Sequence, residues 1–533
     1  MLKKSILFVL FICLSKTIVI SAPYVPLYST NYDNVENYIK TNWNSAFISG
    51  SGTLPNSYIS LSPGWNWMFY WDNYFLIQGL LLHSNVNLYA KNNTDNMLYT
   101  VNLLGFMPNA TATWGQNRSQ PPYLSMMVRD VYENMTTKNK TWLKSSYITL
   151  KKEYNFWVDS SATPIENHTT SIHGLQRYSH HASVSDQIAF YGQIADRFGW
   201  SKTVSDTEKQ IIGSPMLAEA ATGMDFTPRF EQECPDFVAL DLNCNLYLYE
   251  LNFAWMVTEL GLTGEPDWQT FADKRAALVR RYCWNSNRGL YMDYNYKTNK
   301  FPSVACAISF SAMYAGIASN EEAASMVNNL PLFELDFGIS TCENTVQKNV
   351  YQWDYPVVWA PLQFLVYKGI KKYGYDVEAK RVANKFLDVV AKNYLSPVPS
   401  DGRSLNKTYE KYNGSNGQIF NGEYPSAEMM GWTAGVYVYF NNEIKKVANE
   451  IPVLDIKSAS IYPNVVTNSF TLSDVSLSDL NYIVITGSDG RKVKLIRNYT
   501  GGPIHVDELS TGVYTVSLIY TNNTARTLKL IKE

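Results

Sequence analysis

The chain carries 47 acidic residues against 45 Lys and Arg and six His. Two carboxyl groups set on either side of a glycosidic bond can break it. One protonates the leaving oxygen, and the other activates water or attacks the anomeric carbon. Composition cannot choose the pair, because most acidic side chains are solvated surface charges. The informative candidates stand in loops rich in glycine and aromatic residues, the places where a helical scaffold builds a cleft. With 38 Tyr and 14 Trp, rings suited to a pyranose face are plentiful. Core packing accounts for most of them. His180-His181 is a clustered pair, but adjacent residues do not face one way on a helix. No metal site and no cofactor are expected.

Helices must position these loops. From about Asp72 to Ala448 apolar residues recur at three- and four-residue spacing. The spacing predicts helices over 72–89, 124–135, 142–159, 183–198, 241–260, 268–282, 352–373, 377–394 and 426–445. Loops rich in Gly, Pro, Asn and Ser separate them. No fixed-period repeat marks a solenoid. Past Ile451-Pro452 the pattern becomes short alternating runs, as in Tyr482–Thr486, Lys492–Ile496 and Val513–Tyr520, with turn signals between them. The expected organisation is a signal segment over 1–22, a helical domain over 23–450 and a β-rich domain over 451–533.

At 533 residues, with 46% hydrophobic and 17% charged, the chain can bury a large core. A formal net charge of -2 gives no electrostatic case for nucleic acid. Lys3 and Lys4, the apolar run Ile6–Leu14 and the small pair Ser21-Ala22 read as a signal peptide, hence a secreted protein or one exported to the periplasm or cell surface. Beyond Cys13 five cysteines remain without a C-x-x-C pair, which argues against a zinc site and a disulfide framework.

Longer motifs carry a resemblance. Gln352-Trp353-Asp354-Tyr355-Pro356 with Trp359-Ala360-Pro361-Leu362-Gln363 resembles the second trehalase signature. Arg118-Ser119-Gln120-Pro121-Pro122, Lys151-Lys152-Glu153-Tyr154-Asn155-Phe156-Trp157, Asp241-Leu242-Asn243, Tyr70-Trp71-Asp72 and Gly431-Trp432-Thr433-Ala434-Gly435-Val436 resemble further motifs of that family, in family order. The resemblance implies an (α/α)6 barrel, mainly α, and an inverting glycoside hydrolase. Ala220-Ala221-Thr222-Gly223-Met224-Asp225-Phe226 resembles the family's acid loop and implies Asp225 as general acid, and Tyr409-Glu410-Lys411-Tyr412-Asn413, with Glu423-Tyr424 closing the loop after it, implies Glu410 as general base. The resemblance further implies Trp71, Asp72, Arg118, Gln120, Arg177, Trp353, Asp354, Glu423 and Trp432 around the sugar. The C-terminal pieces Ile461-Tyr462-Pro463-Asn464, Leu509-Ser510-Thr511-Gly512-Val513-Tyr514 and Leu530-Ile531-Lys532 resemble a type IX secretion sorting domain, which implies outer-membrane secretion machinery as a partner.

Two places depart from the family pattern. Pro63-Gly64-Trp65-Asn66-Trp67-Met68-Phe69 lacks the arginine of the first signature. Ser179-His180-His181-Ala182-Ser183 follows Arg177-Tyr178 where an arginine and a glutamate are normal. Such groups clamp the sugar in the family, and their loss changes which sugar fits. The expected reaction is hydrolysis of an α-glucosidic bond, with α,α-trehalose as the first substrate. The alternatives are another α-glucoside on the same fold, or a sugar-binding protein without catalysis.

Overall fold

The computed structural model describes residues 24–345, 351–396, 406–428, 430–450, 459–477, 479–487, 492–497, 499–520 and 525–533. The chain forms two compact units that divide after Asn442. The first is helical. In order it contains α1 (Tyr32–Asn42), α2 (Tyr70–Leu80), α3 (Asn87–Leu104), α4 (Leu124–Asn134), α5 (Lys140–Val158), α6 (Val184–Phe198) and α7 (Asp206–Ala220). Then come α8 (Leu240–Leu260), α9 (Trp268–Cys283), α10 (Ser311–Ala315), α11 (Asn320–Asn328), α12 (Ala360–Lys372), α13 (Asp376–Leu395) and α14 (Gly431–Glu450).

Every residue of α2 is buried, which marks it as an inner helix. It packs on α4, α4 on α8, α8 on α10, α10 on α12, and α12 returns to α2. Outside this ring α3 lies on α2, α9 on α8 and α13 on α12. The result is the expected (α/α)6 toroid. The ring also holds α14 against α2 at a glycine crossing. A Cβ on Gly435 would fall 2.1 Å from the Phe75 carbonyl oxygen, and one on Gly79 would fall 2.7 Å from the Gly435 Cα. Side chains larger than hydrogen do not fit there.

Three expected helix boundaries move. The run 72–89 is interrupted after α2, where the His83 ring accepts from Trp43 Nε1 at 2.9 Å and contacts Glu36 at 3.3 Å. The chain then resumes as α3, whose Asn-rich sequence has low helix propensity. Tertiary bonds compensate: Asn93 Nδ2 donates to the Ile59 carbonyl at 2.8 Å and to Asn73 at 2.6 Å. The expected helix 352–373 begins only at Ala360. Before it lies β1 (Val357–Trp359), antiparallel to β2 (Lys411–Asn413). Pro356 blocks the residue before it from the helical region, and Pro361 falls where helices start. α14 starts at Gly431, five residues later than expected.

The second unit is β-rich. A three-stranded sheet orders β3 (Ser460–Tyr462), β5 (Ser469–Ser473) and β8 (Ile504–His505), with β5 central. A five-stranded sheet runs β4 (Val465–Val466), β10 (Ala525–Lys532), β9 (Gly512–Tyr520), β6 (Leu480–Gly487), β7 (Lys492–Arg497). β4 joins β10 in parallel and the other pairs are antiparallel. Ile483, Ile485, Val516 and Leu518 alternate inward onto Phe470 and Ile504 of the smaller sheet. Ser488, Asp489 and Gly490 of the expected turn, and the segment read as a signal, lie outside the described residues.

Candidate active site

Asp72 lies in the first turn of α2, and the start of that helix is fixed by Gln120. The Gln120 amide oxygen accepts from Tyr70 N at 3.1 Å and Trp71 N at 3.2 Å, capping amides that have no partner within the helix. Asp72 is 5% exposed and its Oδ2 has no partner. Burial, and then the Glu410 and Asp225 charges, hold Asp72 well above the usual carboxylate range.

Asp225 follows α7 in a loop shaped by Gly223. That glycine has φ of +73°, and the Trp71 indole sits 2.6 Å from where a Cβ would be. Downstream, Glu219 accepts from Thr227 N at 2.8 Å and Thr227 Oγ1 at 3.0 Å. Arg229 is fully buried and forks onto Asp293 at 2.6 and 2.8 Å, and onto Asp241 at the start of α8. From the other side Gln352 Nε2 donates to the Asp225 carbonyl at 3.3 Å, and Trp353 N to the Phe226 carbonyl at 3.3 Å. Burial, reinforced by Glu423, pushes the Asp225 carboxyl up to about 6 against the opposing pull of Arg197 and Arg118.

The Arg229 fork makes a stability prediction. Arg229→Met leaves two buried carboxylates without their cation, at a cost of about 3–5 kcal/mol. Urea unfolding should show a clearly lower midpoint, and an unchanged midpoint would show that the fork carries no such weight.

Glu410 precedes β2 and is 2% exposed. Its Oε2 accepts from Lys411 Nζ at 2.8 Å and its Oε1 from Tyr424 at 2.9 Å. Its carbonyl accepts from Trp432 Nε1 at 3.2 Å and Thr433 Oγ1 at 3.3 Å. Lys411 itself is wholly buried, with Nζ 3.5 Å from the Tyr424 ring centre. Burial first, opposed by Glu410, leaves that ammonium below its ordinary value.

The structure gathers most of the expected residues. Trp353 stacks on Trp359 at 3.9 Å and 6°, Trp432 meets both edge-on, and Trp71 lies 5.8 Å from Trp353. These indoles are at most 4% exposed. They form the wall on which the Asp225 and Glu410 loops rest. Asp354 accepts from Tyr355 N at 2.7 Å, and burial pushes it up to about 6. Arg118 is buried, with one Nη on Asn117 at 2.9 Å and its Nε unpartnered, and it acts on Asp225. Glu423 pairs with Arg197 at 2.5 Å.

Two expected sugar contacts also hold structural bonds. Gln120 uses its amide oxygen to cap α2 and so sets Asp72. Arg177 donates to the carbonyls of Asn167 at 2.9 Å and Pro235 at 2.8 Å, and to the Tyr296 hydroxyl at 2.8 Å. It ties loops together. Arg197, Lys411 and Tyr424 were not singled out from sequence. Arg197 closes α6 without any motif around it, whereas Lys411 and Tyr424 sit inside motifs already read.

A family model described as Trehalase matches residues 40–445. The chain belongs to the trehalase family. The cytosolic neutral trehalase of Neurospora crassa is 28% identical over 436 residues, covering 71% of this chain and 57% of that protein. That of Kluyveromyces lactis is also 28% identical over 436 residues, covering 71% and 56%. The chain therefore spans little more than half the length of these relatives. Among solved structures, neutral trehalase Nth1 from Saccharomyces cerevisiae superposes with a TM-score of 0.59 at 24% identity, covering 78% of this chain and 80% of that one. A GH63 mannosylglycerate hydrolase from Thermus thermophilus in complex with glucose reaches 0.52 at 14% identity, covering 78% and 99%. Both share the fold of this trehalase-family chain.

These matches correct the expectation of export. The trehalase relatives are, by name, cytosolic neutral enzymes. The reading of a secreted or surface protein is withdrawn. None of the relatives and solved structures named here supports the partner read from the C-terminal unit, the outer-membrane secretion machinery.

Proposed function

We propose that this chain is an inverting glycoside hydrolase that cleaves α-glucosidic bonds, α,α-trehalose first. One observation carries the reading. Two carboxyls of a single charge cluster, with Asp72 acted on by both, have opposed surroundings. Asp225 is shifted toward its protonated form, and Glu410 accepts from an ammonium and a phenol. Carboxyls separated by environment in this way divide into acid and base. Asp225 gives its proton to the glycosidic oxygen as that bond breaks. Glu410 takes a proton from a water that attacks the opposite face, and the anomeric configuration inverts. No covalent sugar intermediate forms.

A proton NMR time course with trehalose and a panel of α-glucosides tests this. Early β-glucose together with one α-glucose per trehalose is expected. Early α-glucose alone would mean retention, and no turnover on any member would sink the hydrolase reading in favour of a sugar-binding protein. A second reading, another α-glucoside as the preferred substrate, is favoured by the Ser179-His180-His181 departure, and the same panel decides it.

The pH profile gives a further expectation. The acid must be protonated, so kcat/KM should fall tenfold per pH unit above about 6. Arg197 lowers the Asp225 value, so Arg197→Gln should move that limb to higher pH. A limb that stays in place, or moves down, would remove Asp225 from the acid role.

A further inference from the structure

A buried carboxylate outside the acid–base pair stands at the edge of the cluster. Glu166 is 3% exposed and is shared by two imidazoles. Its Oε1 meets His181 Nδ1 at 2.5 Å, and its Oε2 lies 2.8 Å from His168 Nε2. On the far edge of the His168 ring, Nδ1 is 2.9 Å from the Arg177 carbonyl. A carbonyl only accepts, so His168 Nδ1 carries a proton. His168 thus stands between a carbonyl and a carboxylate. Burial opposes the Glu166 charge, but the two imidazoles outweigh it and keep the carboxyl below its usual range. Glu166 then takes the Nδ1–H of His181, which fixes the His181 tautomer. In the neutral ring the Nε2 of His181 is then the acceptor.

Position gives this acceptor a use. The His181 backbone N donates to the Asn117 carbonyl at 3.0 Å, so the histidine is strapped to the residue before Arg118. Arg118 is acted on by both Asp225 and Glu166. Its Nε is buried with no partner, an unmade bond in a side chain 8% exposed. The His181 ring is 21% exposed and held edge-on against Phe106 at 5.2 Å. Immediately after it, Ser183 and Asp186 cap α6 reciprocally, which fixes the strand-like lead-in. His180 is engaged elsewhere, with Nε2 2.9 Å from Ser214 Oγ. The three groups Glu166, His168 and His181 do not form a metal cluster, and none was found among the described residues.

We infer that His181, oriented by Glu166, is a specificity-determining residue that accepts a hydrogen bond from a sugar hydroxyl beside Arg118. The guanidinium donates to that hydroxyl oxygen while the imidazole accepts its proton. A hydroxyl that both donates and accepts satisfies the pair, whereas a hydrogen or a fluorine in its place does not. This rests on the glycosidase reading above.

The test pairs turnover with binding. Wild type, His181→Phe, His181→Gln and Glu166→Gln are assayed on the best α-glucoside of the panel. Glucose and its monodeoxy and monofluoro derivatives are titrated by tryptophan fluorescence. In wild type one derivative should bind at least about tenfold more weakly than glucose, the scale of a lost buried partner. In His181→Phe glucose itself should weaken about tenfold and that derivative should lose its penalty. KM should rise with kcat nearly unchanged. His181→Gln, which keeps an acceptor, should recover part of the loss, and Glu166→Gln, whose amide oxygen can still take the His181 Nδ1–H, should fall between wild type and His181→Phe. Thermal melts check that all variants fold. An unchanged derivative pattern in a folded His181→Phe overturns the inference while leaving the hydrolase reading intact. A wild type that neither binds nor hydrolyses any of these sugars overturns both.

Discussion

Asp225→Asn should lower turnover of the natural α-glucoside by about 10²- to 10⁴-fold, the usual contribution of a positioned proton donor. The amide matches the carboxyl in size but cannot protonate a departing oxygen. α-Glucosyl fluoride separates this cause from a general disturbance, because fluoride leaves with little help from an acid. Its hydrolysis by Asp225→Asn should stay within about tenfold of wild type, since the barrier that remains is the attack of water. Equal losses on both substrates would mean that Asp225 serves another purpose. The loop around it is rigid enough for a clean reading. Gly223 is pinned beneath Trp71, and Arg229 locks the following residues to Asp293 and Asp241.

Glu410→Gln should also cost about 10²- to 10⁴-fold, but on the fluoride as well as on the glucoside. Water must still be deprotonated whatever the leaving group. Gln is the right variant because its amide oxygen can still accept from Lys411, which is wholly buried and would be strongly destabilising if left unpaired. Glu410→Ala would confound lost chemistry with a stranded ammonium. Initial rates on both substrates, with a melting curve for each variant, check the expectation. A variant impaired on the glucoside alone would place Glu410 outside the base role.

Helix positions were largely legible because inner and outer helices of a toroid bury stripes or whole surfaces, and that leaves a periodic mark. α8 and α9 follow the spacing to within a residue at their starts. α3 was hidden because its stability comes from Asn93 bonding to Ile59 and Asn73, contacts that no local pattern records. In the site, motif residues could be read and motif neighbours could not. Gln120 looked like a sugar contact, since a glutamine beside Arg118 reads the same whether it meets a hydroxyl or two backbone amides. The bonds of Arg177 were hidden too: its three acceptors, at Asn167, Pro235 and Tyr296, come from separate stretches of chain. His181 could be seen as a departure, but Glu166, fifteen residues earlier, gave no sign that it would orient the ring.

The glycine crossing of α2 and α14 bears on how the protein is made. Asp72 enters near the beginning of the helical unit and Glu410 near its end, and α14 settles on α2 where Gly79 meets Gly435. Contacts so far apart in sequence form late, because the intervening chain must first be ordered. During synthesis the first three hundred residues can emerge and pair their helices while Glu410 is still unmade. A product that stops short of α14 lacks the piece that seals the ring, so it exposes the apolar flank of α2 to the cell's quality control.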